Sequence, residues 1–403
     1  MNKKITVGIT IAFVLIAVAI TFTATMMYSM DIFDKKIASV QERASVYDKI
    51  SEIDSVIRQN YSGEIDDDAL MQGLTDGYLS ALGDENTVYL RSSDIAAIND
   101  QQSGEESGIG VATECNASGY AQITKVYPDS AASKLDIQVN DVITKINEED
   151  ALTLGYEQVV SLLTGTEGTS VSLTYQRDAT EYSIDIVYAP YDRTSVTSYS
   201  LEGGYAYIRL LEINDLTDTQ FEEKLSEVNG NAEVKGLILD LRDTDGGRNI
   251  EVVVHMLNDV IGSGVLVSGI YAGGNTKELY TATSSHFDAP IVVLVNGNTS
   301  GYAELLAATL GEQENVRVVG EETEGKGTCQ ELITLSDGTG LYVTVCELLA
   351  AGTTHFDGTG VAIDFVTSPL EGFELVDSEP VFLADAQLKK GIEIMESELL
   401  VEG

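Results

Sequence analysis

Positive charge is what this chain has least of: 23 Lys and Arg stand against 65 Asp and Glu, for a formal charge of −42. Phosphate recognition depends on Lys and Arg, so this balance argues against nucleic acid as a partner. It fits a solvated acidic surface kept apart by self-repulsion. Cysteine is scarce too. Cys115, Cys329 and Cys346 lie far apart, with no metal-ligand spacing and no even count on which to build a disulfide framework. The histidines, His255, His286 and His355, are equally scattered, which leaves little material for a histidine triad or a zinc site. No metal and no cofactor is expected.

What is present is enough apolar material for a folded protein, 43% of 403 residues, and length for two or three domains. From Ile5 to Met30 no residue is charged, and Lys3 and Lys4 precede the run. As a helix that run is roughly 39 Å long, sufficient to cross a bilayer with some tilt. The basic start places the N-terminus in the cytoplasm and the body outside. A cleaved signal peptide is the rival reading, but the run is long and has no clear small-x-small cleavage site. The expectation is a single-pass membrane protein, anchored by residues 1–30, with its bulk extracytoplasmic.

Residues 31–102 read as helical. Val46, Ile50, Ile53 and Ile57 recur at helical spacing, as do Leu70, Leu74, Tyr78 and Leu82, with Asp66 to Asp68 as a cap and Gly83 as a stop. The turn-rich SGEESG opens a β-rich stretch, residues 103–190, whose runs GIGVATE, YAQITKVY, DVITKIN, VSLTYQR and YSIDIVY are interrupted by one helical pattern, GYEQVVSLLTG. Residues 191–380 alternate strands with helices. GLILDLRD and PIVVLVN are continuous apolar runs, as expected of strands buried on both faces. Residues 381–403 close the chain as a C-terminal helix. In such sheets, ligand chemistry gathers where strands end and helices begin, and NTSGYAEL, Asn298 to Leu305, sits at such an end.

Several motifs from Tyr78 onward now fall into one pattern: YLSALGDENTVYL, GIGV, PDSAASKLDIQVNDVITKIN, GLILDLRDTDGG, PIVVLVNGNTSGYAELLAATL, VVGEETEGKGTCQ and GTGVAIDFV. Together they resemble the carboxyl-terminal processing peptidases, also called tail-specific proteases. The resemblance implies an α/β (α+β multidomain) chain with a PDZ-like domain and a ClpP/crotonase-like protease core. It implies Ser/Lys peptide hydrolysis: a serine on the strand–turn–helix attacks, and a lysine that must be neutral removes its proton. Carried over one residue at a time, the lysine is Lys326, the glutamine that orients it is Gln330, and the glutamate of the helix after the nucleophile is Glu304. The oxyanion amides come from the Gly246–Gly247 turn and from Tyr302, the residue after the nucleophile.

The family's serine stands three residues before that glutamate and 25 before that lysine, and both rules land on Gly301. The expectation is therefore a family protein that recognises protein C-termini and is catalytically impaired. The alternative is an active endopeptidase using Ser300, one place earlier, with Lys326 as base. A one-residue slip entering a helix redirects a side chain by roughly a hundred degrees, which only an altered turn would correct. A structural scaffold that assembles through its N-terminal helices, as a homo-oligomer, is a third reading.

The PDZ-like part is expected to take up peptide C-termini by strand addition. Ser107, Gly108, Ile109 and Gly110 would supply the carboxylate loop, and Ile109 with Val111 an apolar pocket. Thr164 stands where the family commonly has arginine, and Asp136 and Asn140 stand where it has glycines, two residue types that tolerate turn conformations. Asp240, Arg242 and Asp243, which end a buried strand, are read as a structural salt bridge rather than as substrate contacts, and Cys329, beside Gln330 on a strand, as facing the core.

Overall fold

The computed structural model describes residues 44–283, 287–370, 372–373, 375 and 384–399. The apolar run from Ile5 to Met30 and His286 lie outside them. Among the described residues no helix is long and apolar enough to cross a membrane. The chain divides into two units, Met1–Tyr78 and Leu79–Gly403.

In the first unit residues 44–60 are helical and the helix Asp67–Ser80 begins. Asp66 caps that second helix, its Oδ1 accepting from Asp68 N and Ala69 N, and this satisfies amides that have no partner inside the helix. Gly83, at φ 70°, follows its end. Val46, Ile53, Ile57 and Leu74, four of the residues at helical spacing, are exposed rather than buried.

The second unit opens on a short strand, Val88–Leu90, and the helix Ser92–Ser103. A five-strand antiparallel path follows, in the order Val111–Cys115, Ala121–Val126, Val142–Ile146, Ser170–Arg177 and Thr180–Val187. The alternation of apolar and polar residues in those strands places Ile123, Ile143, Leu173 and Ile186 in one core with Ile109 and Val159. Asp136 and Asn140 adopt φ 56° and 75°, the left-handed turn region that the family fills with glycine. Arg177 pairs with the buried Asp141 and holds this turn from the neighbouring strand.

The α/β part is a six-stranded sheet ordered Val196–Leu201, Tyr205–Leu210, Gly236–Asp240, Ile291–Val295, Val316–Gly320, Phe365–Val366. Its first pair is antiparallel and all later pairs are parallel. The continuous apolar runs explain themselves by burial on both faces. Leu237 and Leu239 face the helices Thr217–Asn229, Ile250–Val260 and Tyr302–Gly311, while Ile238, Val292 and Leu294 face the C-terminal helix Ala386–Ile394 through Leu388 and Ile392. Each such aliphatic side chain contributes about 1.5–3 kcal/mol on burial. A second sheet is built on the long strand Gly340–Ala350, which pairs with Val88–Leu90, Gly264–Tyr271 and Thr328–Thr334. Leu266, Cys346 and Leu348 from it join the same core as the three helices.

Asp240 and Arg242 form the expected structural pair, and it is larger than a pair. Arg242 is 1% exposed and donates to Asp240, Asp385 and the side-chain Oε1 of Gln387, while Tyr207 donates to Asp240. Asp385 also caps the C-terminal helix, accepting from Gln387 N and Leu388 N. The cluster thus ties the end of a central strand to the start of the last helix. The carboxylates beside Arg242 raise its pKa further above the ordinary guanidinium value, against the opposing effect of burial.

Candidate active-site cleft

Three neighbouring parallel strands, Gly236–Asp240, Ile291–Val295 and Val316–Gly320, end at the same level because Asp240 pairs with Leu294 and Val295 with Gly320. The loops that follow them therefore meet. They line a cleft of about 320 Å³ with Asp243, Asp245, Gly246, Gly247, Asn298, Ser300, Gly301, Tyr302, Lys326 and Gln330. All seven residues assigned to catalysis or the oxyanion turn lie in its wall.

Short polar side chains hold the loops together. Thr299 Oγ1 donates to Leu241 O at 2.9 Å and Ser300 N to Thr244 O at 3.1 Å. Asn296 and Asn298 each donate to Asp243 Oδ1 at 2.8 Å, and these bonds hold the Asp243 carboxyl below its ordinary range against the effect of burial. The third loop is fastened by Glu304, which is fully buried. Its carboxylate accepts from Gly301 N at 3.0 Å, Lys326 N at 2.8 Å, Gly325 N at 2.7 Å and Thr323 Oγ1 at 2.5 Å. One charge thus positions both the turn that precedes the helix and the turn that carries Lys326.

Gly301 has φ 60° and ψ −124°, a conformation that costs any residue bearing a Cβ. Strained strand-to-helix turns of this kind are where α/β enzymes present a nucleophile. A Cβ built at Gly301 would meet only Gly246 Cα at 3.5 Å and Gly246 N at 3.6 Å, ordinary contact distances. The position therefore has room for a side chain, beside the Gly246 amide, and carries none. Gly246 is the opposite case: a Cβ there would lie 1.8 Å from Tyr302 N. The Gly247 amide donates to Asp245 Oδ1 at 3.2 Å, so within the Gly-Gly turn Gly246 supplies the amide next to position 301.

Ser300 lines the cleft and is 9% exposed; no partner for its hydroxyl is found among the described residues. Lys326 is half-buried, and its ammonium likewise makes no hydrogen bond or ion pair among the described residues. The acids around it are engaged: Asp243 with the two asparagines, Asp245 with Gly247 N, and Glu212 with Arg193 and Asn214. Gln330 does not reach Lys326. Its amide nitrogen donates to Thr328 Oγ1 at 2.7 Å and Thr344 Oγ1 at 3.3 Å, because a register shift falls between Cys329 and Gln330. Cys329 packs against the core, as its strand position implies, and Tyr302 Oη donates to its sulfur at 3.5 Å.

The PDZ-like loop differs from the expectation drawn for it. The Ile109 amide donates to Leu163 O at 2.9 Å and Gly165 N to Ser107 O, so the Ile109 proton is already spent inside the protein. Ile109 and Val111 are both buried in the domain core rather than open to a ligand. Gly108 bridges to Thr164, and Gly110, at φ 78°, lies against Ser130, where a Cβ would be 2.2 Å away. The strand Val111–Cys115 ends the sheet path as an edge, and Tyr156 Oη donates to Thr113 O on it at 2.7 Å. Asp243, expected in the salt bridge with Asp240 and Arg242, accepts from Asn296 and Asn298 instead, and the roles of Thr323, Asn298 and Tyr156 carry no expectation from the sequence. Their partners lie far away in sequence, and only Asn298, two residues from the turn, carried even a positional signal.

The class these features define is an α/β peptidase frame joined to a PDZ module. A family model for peptidase family S41 matches residues 204–367, and a PDZ-domain model matches residues 122–177. The carboxy-terminal processing protease CtpA of Bacillus subtilis (strain 168) is 28% identical over 346 residues, 84% of this chain and 73% of that protein. CtpB of the same organism is 26% identical over 326 residues, 79% of this chain and 67% of that protein. Among solved structures, a photosystem II D1 C-terminal processing protease aligns over 87% of this chain and 91% of its own, at 22% identity and a TM-score of 0.49. Residues 204–367 thus match peptidase family S41 and residues 122–177 a PDZ domain, and the chain is CtpA/CtpB-like over most of its length.

Proposed function

We propose that this protein engages the C-termini of other proteins without cutting them efficiently, from a body held outside the cytoplasm by its N-terminal anchor. The observation that carries the reading is Gly301: the turn keeps a φ of 60° and room for a Cβ, yet offers no attacking atom. The PDZ domain supports peptide C-termini as the ligand class. The anchor rests on the uncharged run from Ile5 to Met30.

A second reading is supported by Ser300, which shares the cleft with Lys326. In that reading the Ser300 hydroxyl attacks the peptide carbonyl, Lys326 takes its proton, and the Gly246 and Tyr302 amides hold the oxyanion.

Incubating the full chain with unfolded protein and with free-acid or amidated C-terminal peptides separates the two. The main reading expects binding of the free acids, no cleavage, and cleavage gained in Gly301→Ser, which supplies the missing attacking hydroxyl. Native cleavage that disappears in both Ser300→Ala and Lys326→Ala would overturn it in favour of the second.

A further inference from the structure

Behind the cleft wall, Cys329 and Cys346 stand directly opposite each other across the antiparallel strands Thr328–Thr334 and Gly340–Ala350. Opposed residues of such a pair project to one face with Cα atoms about 4.5–5.5 Å apart, inside the roughly 4.4–6.8 Å that a disulfide spans. Both side chains lie against the same core, Cys346 buried and Cys329 half-buried. Tyr302 Oη donates to the Cys329 sulfur at 3.5 Å. Both thiols are free.

We propose that Cys329 and Cys346 are a modification site: a dithiol that closes reversibly to a cross-strand disulfide. The two sulfurs divide the chemistry. The neighbouring Cys346 thiol, aided by the Tyr302 hydrogen bond and opposed by burial and the Glu331 carboxylate, lowers the Cys329 thiol to about 7. The neighbouring Cys329 sulfur, with burial, pushes Cys346 up. Cys329 is therefore the attacking thiolate and Cys346 the resolving thiol.

The oxidant is a low-molecular-weight disulfide, RSSR. Cys329 thiolate attacks one sulfur, forming the mixed disulfide Cys329–SR and releasing RS⁻. Cys346, giving its proton to that RS⁻ or to solvent, attacks the Cys329 sulfur and expels the second RS⁻. Two cysteine thiols are oxidised, one RSSR is reduced to two RSH, and the two protons end on the released thiols.

The consequence reaches the cleft by two short steps. Tyr302, which follows Gly301, loses the thiol it donates to, and Gln330, which lines the cleft, follows Cys329 at the register shift. The proposal does not depend on whether the cleft cuts peptide.

The test treats the full chain with oxidised glutathione, denatures it, alkylates the remaining thiols and maps them by mass spectrometry. The exposed Cys115 reports that oxidant reached the protein. The expected result is a linked Cys329–Cys346 peptide pair lighter by two hydrogens, two alkylations lost, and both restored by reductant. In Cys346→Ser the tripeptide adduct should stay on Cys329. The proposal is overturned if Cys329 and Cys346 both remain alkylated once Cys115 has reacted, or if the unmodified sequence keeps a stable adduct on Cys329 with no cross-link. The primary readout uses the unsubstituted chain, so a poorly folding variant does not decide the question.

Discussion

Gly246 and Gly301 pack against each other in the wall of the cleft, and they are glycine for different reasons. At 246 a Cβ would lie 1.8 Å from a backbone nitrogen, whereas at 301 its nearest neighbour would be 3.5 Å away. The first glycine is imposed by packing. The second leaves a space that the surrounding chain does not fill, although Glu304 still fixes the Gly301 amide and the Lys326 turn. A frame that keeps the position of a side chain while lacking it is what distinguishes this cleft.

The largest effect should come from the frame itself. Arg242→Met leaves the Asp240 and Asp385 carboxylates buried and uncompensated, and chemical denaturation should show a loss of about 3–5 kcal/mol. A loss under 1 kcal/mol would mean that the cluster does not hold the loops of the cleft. Gly246→Ala should cost about 3 kcal/mol, the upper end of ordinary overpacking, while Gly301→Ala should cost about 1–2 kcal/mol for its positive φ alone. Equal costs for the two would break the contrast between them.

Glu304→Gln keeps the shape but replaces two charged acceptor oxygens with one carbonyl, so two of four donors lose their partner. About 2 kcal/mol should be lost, with faster amide exchange at Gly325 and Lys326. The smallest effect is a pH slope. Burial, with the Glu222 and Asp218 carboxylates, pushes Asp259 up to about 6. A raised carboxyl contributes stability that is fully present below its unfolded value of about 3.9 and lost as pH rises through about 6. Asp259→Asn should flatten stability across that window, and an unchanged slope in a pH-dependent denaturation series would remove this assignment.

Much of the fold was legible because its signals are local. GLILD and IVVLV could only be strands buried on both faces, and Asp66 and Gly83 marked the ends of a helix. Asp136 and Asn140 could be read as turn residues from their chemistry, and their φ values of 56° and 75° agree. The PDZ-like loop was less legible. Its glycines suggested free amides, but Leu163, more than 50 residues on, takes the Ile109 proton. The family resemblance implies Gln330 as a partner of Lys326. A register shift of one residue, invisible in sequence, gives its amide to Thr328 and Thr344 instead.

The sequence by itself determined which residues the strand ends would carry, and that spacing from Glu304 and Lys326 converges on a glycine. It determined the apolar periodicities, because side-chain direction along a strand or helix follows from the backbone repeat alone. Only the tertiary structure decided that position 301 has room for a side chain, that one buried carboxylate clasps two loops, and that Cys329 meets Cys346. Those are facts about which distant strands become neighbours and in what register, set by the packing of the whole core rather than by any segment of the chain.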